Sequence, residues 1–467
     1  MTYQVPQHIK GDKVFIVNRS AIDNRLDAQY YSANLDLSGF VKLSSVAIVK
    51  GGKRIPKGYG YSDEATPYLY LRVADMDSDS QVDVNNLTNI SKDVFDILER
   101  YEITAGELAI SIAGTIGKTA ILKDIPDGKR VVLTENCAKI LVKNASDLLS
   151  EYLKICLELP IVKKQLDLNY IQTTIPKLGL DKIVGIKIPP IPCIQKQQEI
   201  VEYINTAYAQ KRAKEVEAQQ LLDSIDDYLL KELGITMPKI QTDIDSRIFI
   251  VQKKDIKGRY TPNLYKDAIT LHSTIYKNVP LSHLAYINPN TRFPNRNKEM
   301  LISFVPMESV NEIYAEITDH KDCIIEESKG FTRFQEGDLL WAKITPCMEN
   351  GKSAIAEGLT NDYGCGSTEF HVIRPKNEDL LIEYIHSLLH MKFVRQTAKL
   401  YFGGSAGQQR VATDFLENFN VPLPTKVKQE EIVAYIADIR TRAKALQAEG
   451  KAILEEAKRK IEQIIIG

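Results

Sequence analysis

The 467-residue sequence has one tryptophan, no excess of either charge and no long apolar run. Lys and Arg total 60 against 61 Asp and Glu, a formal net charge of -1. A nucleic-acid-binding chain usually looks basic, so this balance alone announces no such partner, although a neutral total can hide local patches. No stretch of about 18 apolar residues exists, so no membrane span is expected. No N-terminal stretch has the charged, apolar and small-residue zones of a secretory signal. Cys137, Cys156, Cys193, Cys323, Cys347 and Cys365 form no C-x-x-C pair. Without a secretory route, structural disulfides are not expected, and a cytoplasmic chain with reduced thiols is. Hydrophobic residues at 44% and charged residues at 26% exclude collagen-like, mucin-like and largely disordered chains.

Catalytic signatures are also missing. Gly114-Thr-Ile-Gly117-Lys118-Thr119 resembles the end of a phosphate loop, but position 112 is Ile where the loop needs Gly. Pro346 precedes Gly351-Lys352-Ser353 in a comparable place, so both stretches read as strand-to-strand turns. The glycine-rich Tyr401–Gly407 stretch does not follow a strand and open a helix, as a cofactor loop should. His386 and His390 have zinc-compatible spacing, yet no Glu lies between them and no third ligand is evident, so a packed or solvated helix face is expected. No G-x-S-x-G elbow occurs. Nor does the N/D-P-P-Y/F/W tetrapeptide of amino-methyltransferases, and no catalytic residue is assigned.

What the chain does contain is a repeat. Lys13-Val-Phe-Ile-Val17 recurs as Arg247-Ile-Phe-Ile-Val251, an offset of 234, and Arg25 recurs as Arg259. Gly106-Glu-Leu108 matches Gly337-Asp-Leu339, and Gly117-Lys-Thr119 matches Gly351-Lys-Ser353 after a three-residue insertion. Asp147-Leu-Leu with Glu151-Tyr152 matches Asp379-Leu-Leu with Glu383-Tyr384. Pro190-Ile-Pro192 with Gln197-x-Glu-Ile-Val201 matches Pro422-Leu-Pro424 with Gln429-x-Glu-Ile-Val433. The copies run from about 13 to 234 and from 247 to 467, and 236–246 reads as a linker.

Each copy starts with about 180 residues of mixed character. Runs such as Tyr68–Val73, Leu108–Ile112 and Lys139–Val142 read as strands, and Leu148–Leu157 and Leu380–Val394 as helices, which sets the class as α+β. Each copy ends in one long helix, about 195–233 and 427–466, stopped on its N-terminal side by prolines. Val201, Ile204, Tyr208, Ala218, Leu222, Ile225 and Leu229 alternate by three and four along the first, interrupted by Lys211 and Glu215. Ile432, Ile436, Ile439, Ala443, Leu446, Ile453, Ala457 and Ile464 do so along the second. This is the seam pattern of a coiled coil, and the two helices are expected to pair; packing of each on its own domain is the alternative. The expected organisation is 1–190 and 247–422 as globular domains, 191–235 and 423–467 as helices, and 236–246 as linker.

This order of motifs, given twice, resembles the specificity (S) subunit of type I restriction–modification enzymes. The resemblance rests on the paired P-x-P and Gln-x-Glu-Ile-Val elements, on Gly114-Thr-Ile-Gly117-Lys118, and on Gly404-Ser405 ahead of the second P-x-P. The second copy departs from the glycine-lysine motif and the first from the glycine-serine motif, which bears on the sequence read rather than on the role. The resemblance implies two target recognition domains, each reading one half of a split double-stranded DNA target. It implies spacer helices pairing as an antiparallel coiled coil with pseudo-two-fold symmetry. The implied partners are two modification subunits, which would carry S-adenosylmethionine and methylate adenine, and restriction subunits, which would use ATP. The chain itself would be non-catalytic, would need no cofactor or metal of its own, and would have no membrane partner. A stand-alone DNA methyltransferase and a coiled-coil adaptor without DNA function are the competing classes.

Candidate DNA contacts follow from residue chemistry. Lys50, Lys53, Arg54 and Lys57 place four basic residues within eight, and Tyr59 and Tyr61 follow. Arg292, Asn295, Arg296 and Lys298 form the equivalent stretch of the second copy. Arg and Asn pair bidentately with guanine and adenine edges, and Lys neutralises phosphate. Lys118 and Lys352 are candidate phosphate contacts, and Thr173 and Thr174, with Ser405, Gln408, Gln409 and Arg410, form a second pair of polar loops. A solvated surface loop is the competing reading for each. The helix-pairing set is Val201, Ile204, Tyr208, Leu222, Ile225, Leu229, Ile432, Ile436, Ile439, Leu446, Ile453 and Ile464.

Overall fold

The computed structural model describes residues 22, 33, 35–77, 79–169, 176–236, 271–294, 298–404 and 408–467. Arg25, Thr173, Thr174, Arg259, Asn295, Arg296, Ser405 and most of the 236–246 linker lie outside the described residues. The chain forms two compact units, Met1–Ala213 with Gly450–Gly467, and Lys214–Glu449.

The first unit is built on two four-stranded sheets. Its strands are β1 (Ala47–Gly51), β2 (Tyr68–Leu71), β3 (Thr88–Asn89), β4 (Glu102–Ile103), β5 (Leu108–Ser111), β6 (Thr119–Ile121), β7 (Arg130–Leu133) and β8 (Cys137–Val142). One sheet has the order β1-β8-β5-β6 and is antiparallel throughout, with Ile110 opposite Ala138. The other has the order β3-β2-β7-β4, with β2 and β7 parallel and Leu69 opposite Val131. Side chains alternate across a strand. Leu108 and Ile110 therefore enter a core shared with α1 (Ser150–Glu158) and α2 (Pro160–Asp167), while Ala109 faces the second sheet beside Leu69 and Val131. The far face of that second sheet is covered by Val94, Phe95 and Leu98 of the Lys92–Leu98 helix. Strands covered on both faces read as continuous apolar runs, as Leu108-Ala-Ile110 of β5 does.

The second unit repeats the plan strand for strand. Its strands are β9 (Ala285–Ile287), β10 (Leu301–Val305), β11 (Lys321–Ile324), β12 (Thr332–Gln335), β13 (Leu339–Ala342), β14 (Ser353–Ile355), β15 (Tyr363–Gly366) and β16 (Phe370–Pro375). The sheet orders are β9-β16-β13-β14 and β11-β10-β15-β12, with β10 and β15 parallel. Trp341 and Leu339 join the core under α4 (Ile382–His390) and α5 (Lys392–Lys399), whereas Leu340 points between the sheets beside Val305 and Phe334.

Two long helices complete the described chain. Helix α3 spans Ile194–Glu232 and α6 spans Lys426–Ile466. In the first unit Ile200, Ile204 and Tyr208 of α3 share a core with Leu454, Ala457 and Ile461 of α6. In the second, Ile225 and Leu229 share one with Ile432, Ile436 and Ile439. Residue numbers rise along one helix as they fall along the other, so the pairing is antiparallel. The rings of Tyr228 and Tyr435 stack at 4.0 Å, and Lys428 pairs with Glu232 at 2.7 Å. The same stripes also enter the domain cores, so pairing and packing on a domain hold together. Ile464 is a correction: it is 54% exposed. Beyond Gly450 the buried stripe runs Leu454, Ala457, Ile461 and then half-buried Ile465, which turns Ile464 to solvent. Lys211 interrupts the α3 stripe because it forms an ion pair with Asp79 at 2.5 Å. No helix among the described residues is long and apolar enough to cross a membrane.

The motifs shared by the copies form the joint between domain and helix. The buried Gln197 side chain accepts from the Leu149 N–H at 2.9 Å and donates to the carbonyls of Asp147 and Pro192, each at 2.8 Å. Gln429 repeats this with Leu381 at 3.0 Å, Asp379 at 3.1 Å and Pro424 at 3.2 Å. The Tyr152 hydroxyl donates to the Pro190 carbonyl at 3.4 Å and that of Tyr384 to the Pro422 carbonyl at 2.6 Å.

Candidate functional site

The basic stretch of the first unit leaves β1 as an irregular loop. Its backbone is fixed by Gly52 N–H to Cys137 carbonyl at 2.8 Å and by Lys53 N–H to Leu133 carbonyl at 2.9 Å. Only glycine fits at 52, because a Cβ there would sit 2.1 Å from the Thr134 carbonyl oxygen. Lys50, Lys53, Arg54, Lys57 and Tyr59 are all exposed. Arg54, Tyr59, Tyr61, Tyr70, Arg72 and Glu135 line an open concavity of about 520 Å³.

Charge inside this concavity is organised. Arg54 Nε donates to Glu135 Oε1 at 2.5 Å, although the Arg54 side chain is 79% exposed. Thr134 Oγ1 donates to the other carboxylate oxygen at 2.8 Å. Burial pushes the Glu135 carboxyl up, but the hydrogen bonds from Arg54 and Thr134 outweigh it and hold it below the ordinary carboxylate value. The Tyr70 hydroxyl donates to the Lys53 carbonyl at 3.0 Å, which ties the loop to β2. Arg72 lies 5.8 Å from the Tyr61 ring centre and is anchored by Asp75 at 2.7 Å.

In the second unit Arg292 is exposed beyond β9, and Lys298 is exposed before β10. Arg410 lies on a short strand (Arg410–Val411) paired with Phe402–Gly403, beside exposed Gln408 and half-buried Gln409. Its Nε and Nη2 donate to the two oxygens of Glu369 at 2.8 and 2.7 Å, and its Nη1 donates to the Gln408 carbonyl at 2.9 Å. The hydrogen bond from Arg410 holds the Glu369 carboxyl below its ordinary value against the effect of burial.

Lys118 and Lys352 have internal partners. Both are half-buried. Lys118 Nζ donates to the Met76 carbonyl, and Lys352 Nζ donates to the carbonyls of Val310 at 2.9 Å and Met307 at 3.1 Å. Met76 and Val310 are themselves 234 apart, as the two lysines are. The glycine-lysine turn thus fastens β6 or β14 to the chain that leaves the second sheet. His386 is buried and within 3.0 Å of Ser353 Oγ, and among the described residues no group of His, Cys, Asp and Glu could hold a metal.

Arg54 and Arg410 are candidates from the sequence, which does not single out the carboxylates that hold them. The available signal was Thr134-Glu135 recurring as Thr368-Glu369 at the repeat offset. Gln197 and Gln429 were visible as repeated letters, but their burial was not.

Comparison with known proteins agrees with this duplicated plan. The family model described as "Type I restriction modification DNA specificity domain" matches residues 36–223 and 276–456. The Escherichia coli type I restriction enzyme EcoEI specificity subunit is 33% identical over 188 residues, 40% of this chain and 31% of that protein. The EcoAI specificity subunit of the same organism is 34% identical over 192 residues, again 40% and 31%. The matched part thus spans about a third of these curated relatives. Among solved structures, the type I restriction–modification S subunit from M. genitalium covers 91% of this chain and 96% of its own, at TM-score 0.41 and 9% identity. A chain from a study of type I R-M complex assembly and conformational transition covers 91% and 96%, at TM-score 0.48 and 15% identity. With two matches that together take in most of its length, the chain belongs to the type I restriction–modification DNA specificity domain family.

Proposed function

We propose that this chain is the DNA-reading subunit of a type I restriction–modification complex. Each globular domain reads one half of a bipartite double-stranded target. The observation that carries this is the family match over both copies of one two-sheet domain. The chain does no chemistry itself. It directs adenine methylation by two modification subunits, which bind S-adenosylmethionine and flip the base, and restriction by further subunits that use ATP. The exposed Lys50–Lys57 loop and the Arg292, Lys298 and Gln408–Arg410 segments supply phosphate and base contacts. The paired helices act as the spacer, and the complex works in the cytoplasm. One added helical turn, about 5.4 Å, should then lengthen the gap by on the order of 1.6 base pairs.

The test is co-expression with an adenine methyltransferase encoded beside it, followed by genome-wide mapping of methylated adenines. A bipartite motif with a fixed gap is expected. A continuous motif, or methylation unchanged when this chain is omitted, contradicts the reading.

A further inference from the structure

The two carboxylates beside the candidate loops stand at one position of the repeat. Glu135 and Glu369 each follow a threonine and are 234 residues apart. Each lies between the parallel-paired strand of the second sheet, β7 or β15, and the strand β8 or β16 of the first. Each holds an arginine, yet the arginines come from unrelated places. Arg54 follows β1, whereas Arg410 comes from the far end of its domain, after α5. The acid is constant while the source of the cation varies. Stability does not account for this, because ion pairs with exposed arginines contribute little. The Arg54 side chain is 79% exposed and that of Arg410 41%.

The hydrogen-bond geometry says what is left over. A guanidinium has five N–H donors in a fixed plane. Glu369 takes the side formed by Nε and Nη2, and the Gln408 carbonyl takes one Nη1 donor. Three of the five donors are taken in these contacts, which leaves one hydrogen on each Nη. Glu135 takes Nε of Arg54, which likewise leaves that arginine's terminal fork free. Two parallel donors at this spacing match the O6 and N7 acceptors of guanine in the major groove, whereas adenine offers a donor at N6. A long side chain must otherwise lose rotamer freedom on binding, and a carboxylate that fixes it beforehand lowers that cost.

We propose that Glu135 and Glu369 are positioning residues that hold Arg54 and Arg410 with their terminal forks outward, so that each arginine reads a guanine in its own half of the target. This rests on the DNA-recognition reading given above. The acids touch no base; they act through the arginines.

The experiment maps methylated sites for the full complex carrying wild-type chain, Glu135→Gln, Arg54→Lys, Glu369→Gln or Arg410→Lys. Glu135→Gln and Arg54→Lys should relax the same single guanine position in one half-site, by about 5- to 150-fold. Glu369→Gln and Arg410→Lys should do the same in the other half. Glu135→Asp, which keeps the charge, should restore part of the preference. Thermal unfolding of the purified chains should stay at the wild-type midpoint, which separates a reading role from a structural one. A wild-type motif unmoved by these variants overturns this inference alone. So does an equal loss at every position of the motif, or a lowered unfolding midpoint that accounts for the lost preference. No bipartite motif from the wild-type complex overturns the recognition reading and this inference with it.

Discussion

At one place in the repeat the two copies solve the same burial problem with different residues. In the first, Lys154 and Glu158 pair at 2.9 Å and Thr119 Oγ1 donates to Glu158 at 2.7 Å. In the second, His386 and His390 occupy those positions and Ser353 replaces the threonine. Burial lowers the pKa of both histidines, and the nearby Arg440 charge adds to it; His390 falls to about 3. An unfolded histidine titrates near 6.5. Below that pH the unfolded chain takes up protons that the folded second unit refuses. For His390 this share of stability is therefore complete above about pH 6.5 and is lost as pH falls toward 3, at about 1.4 kcal/mol per pH unit, and His386 acts in the same direction. Trp341, the single tryptophan, is 1% exposed in this unit and reports its unfolding. The urea midpoint followed by its fluorescence should drop between pH 6.5 and 5, and a His386→Asn/His390→Asn variant should flatten that drop. An unchanged pH profile in the double variant would contradict the assignment. The spacing of the histidines placed them on one helix face in the sequence. The serine partner of His386, on a strand more than thirty residues earlier, was invisible there because only the tertiary fold brings it near.

At the scale of elements, what could be read was what local chemistry dictates. Prolines and a sustained apolar spacing set the long helices at 195–233 and 427–466, and they occur at Ile194–Glu232 and Lys426–Ile466. The role of Lys118 was less legible, because a Gly-Lys turn suggests phosphate while the Met76 carbonyl lies 42 residues away. Lys118→Met should lower the unfolding temperature, with a loss of about 1.5–3 kcal/mol for a charged hydrogen bond. A slope of log affinity for DNA against log salt that stays unchanged marks the lysine as an internal tie, and a slope lower by about one marks it as the phosphate contact that the Gly-Lys turn suggests. The glutamine joints make a second case. Gln429→Ala leaves the Leu381 N–H and two carbonyls without their partner. At about 1 kcal/mol per bond the loss is about 3 kcal/mol, seen in the Trp341 transition. Gln197→Ala should cost as much but act on the first unit, and so leave the Trp341 signal near its wild-type midpoint.

At the scale of the molecule, the domains are not complete as continuous stretches of chain. The first unit is Met1–Ala213 with Gly450–Gly467, so its core draws on residues more than two hundred positions away. Leu454, Ala457 and Ile461 are 3%, 2% and 1% exposed in the same core as Ile200 and Ile204. A repeat read from sequence invites cutting the chain at the linker, yet that cut removes these side chains from the first domain. Burying a large aliphatic side chain contributes about 1.5–3 kcal/mol, so losing Leu454 and Ile461 costs roughly 3–6 kcal/mol. That is a large part of the stability of an ordinary domain. A fragment of residues 1–236 should therefore unfold at lower urea than the first unit does within the full chain. It should also self-associate through the uncovered stripe of α3. Co-expressed with residues 237–467, it should be recovered as a stable complex on a tag carried by either piece, because the second piece supplies the missing end of α6. A 1–236 fragment that stays monomeric, with the unfolding midpoint of the intact first unit, would show instead that the domain and its own helix suffice.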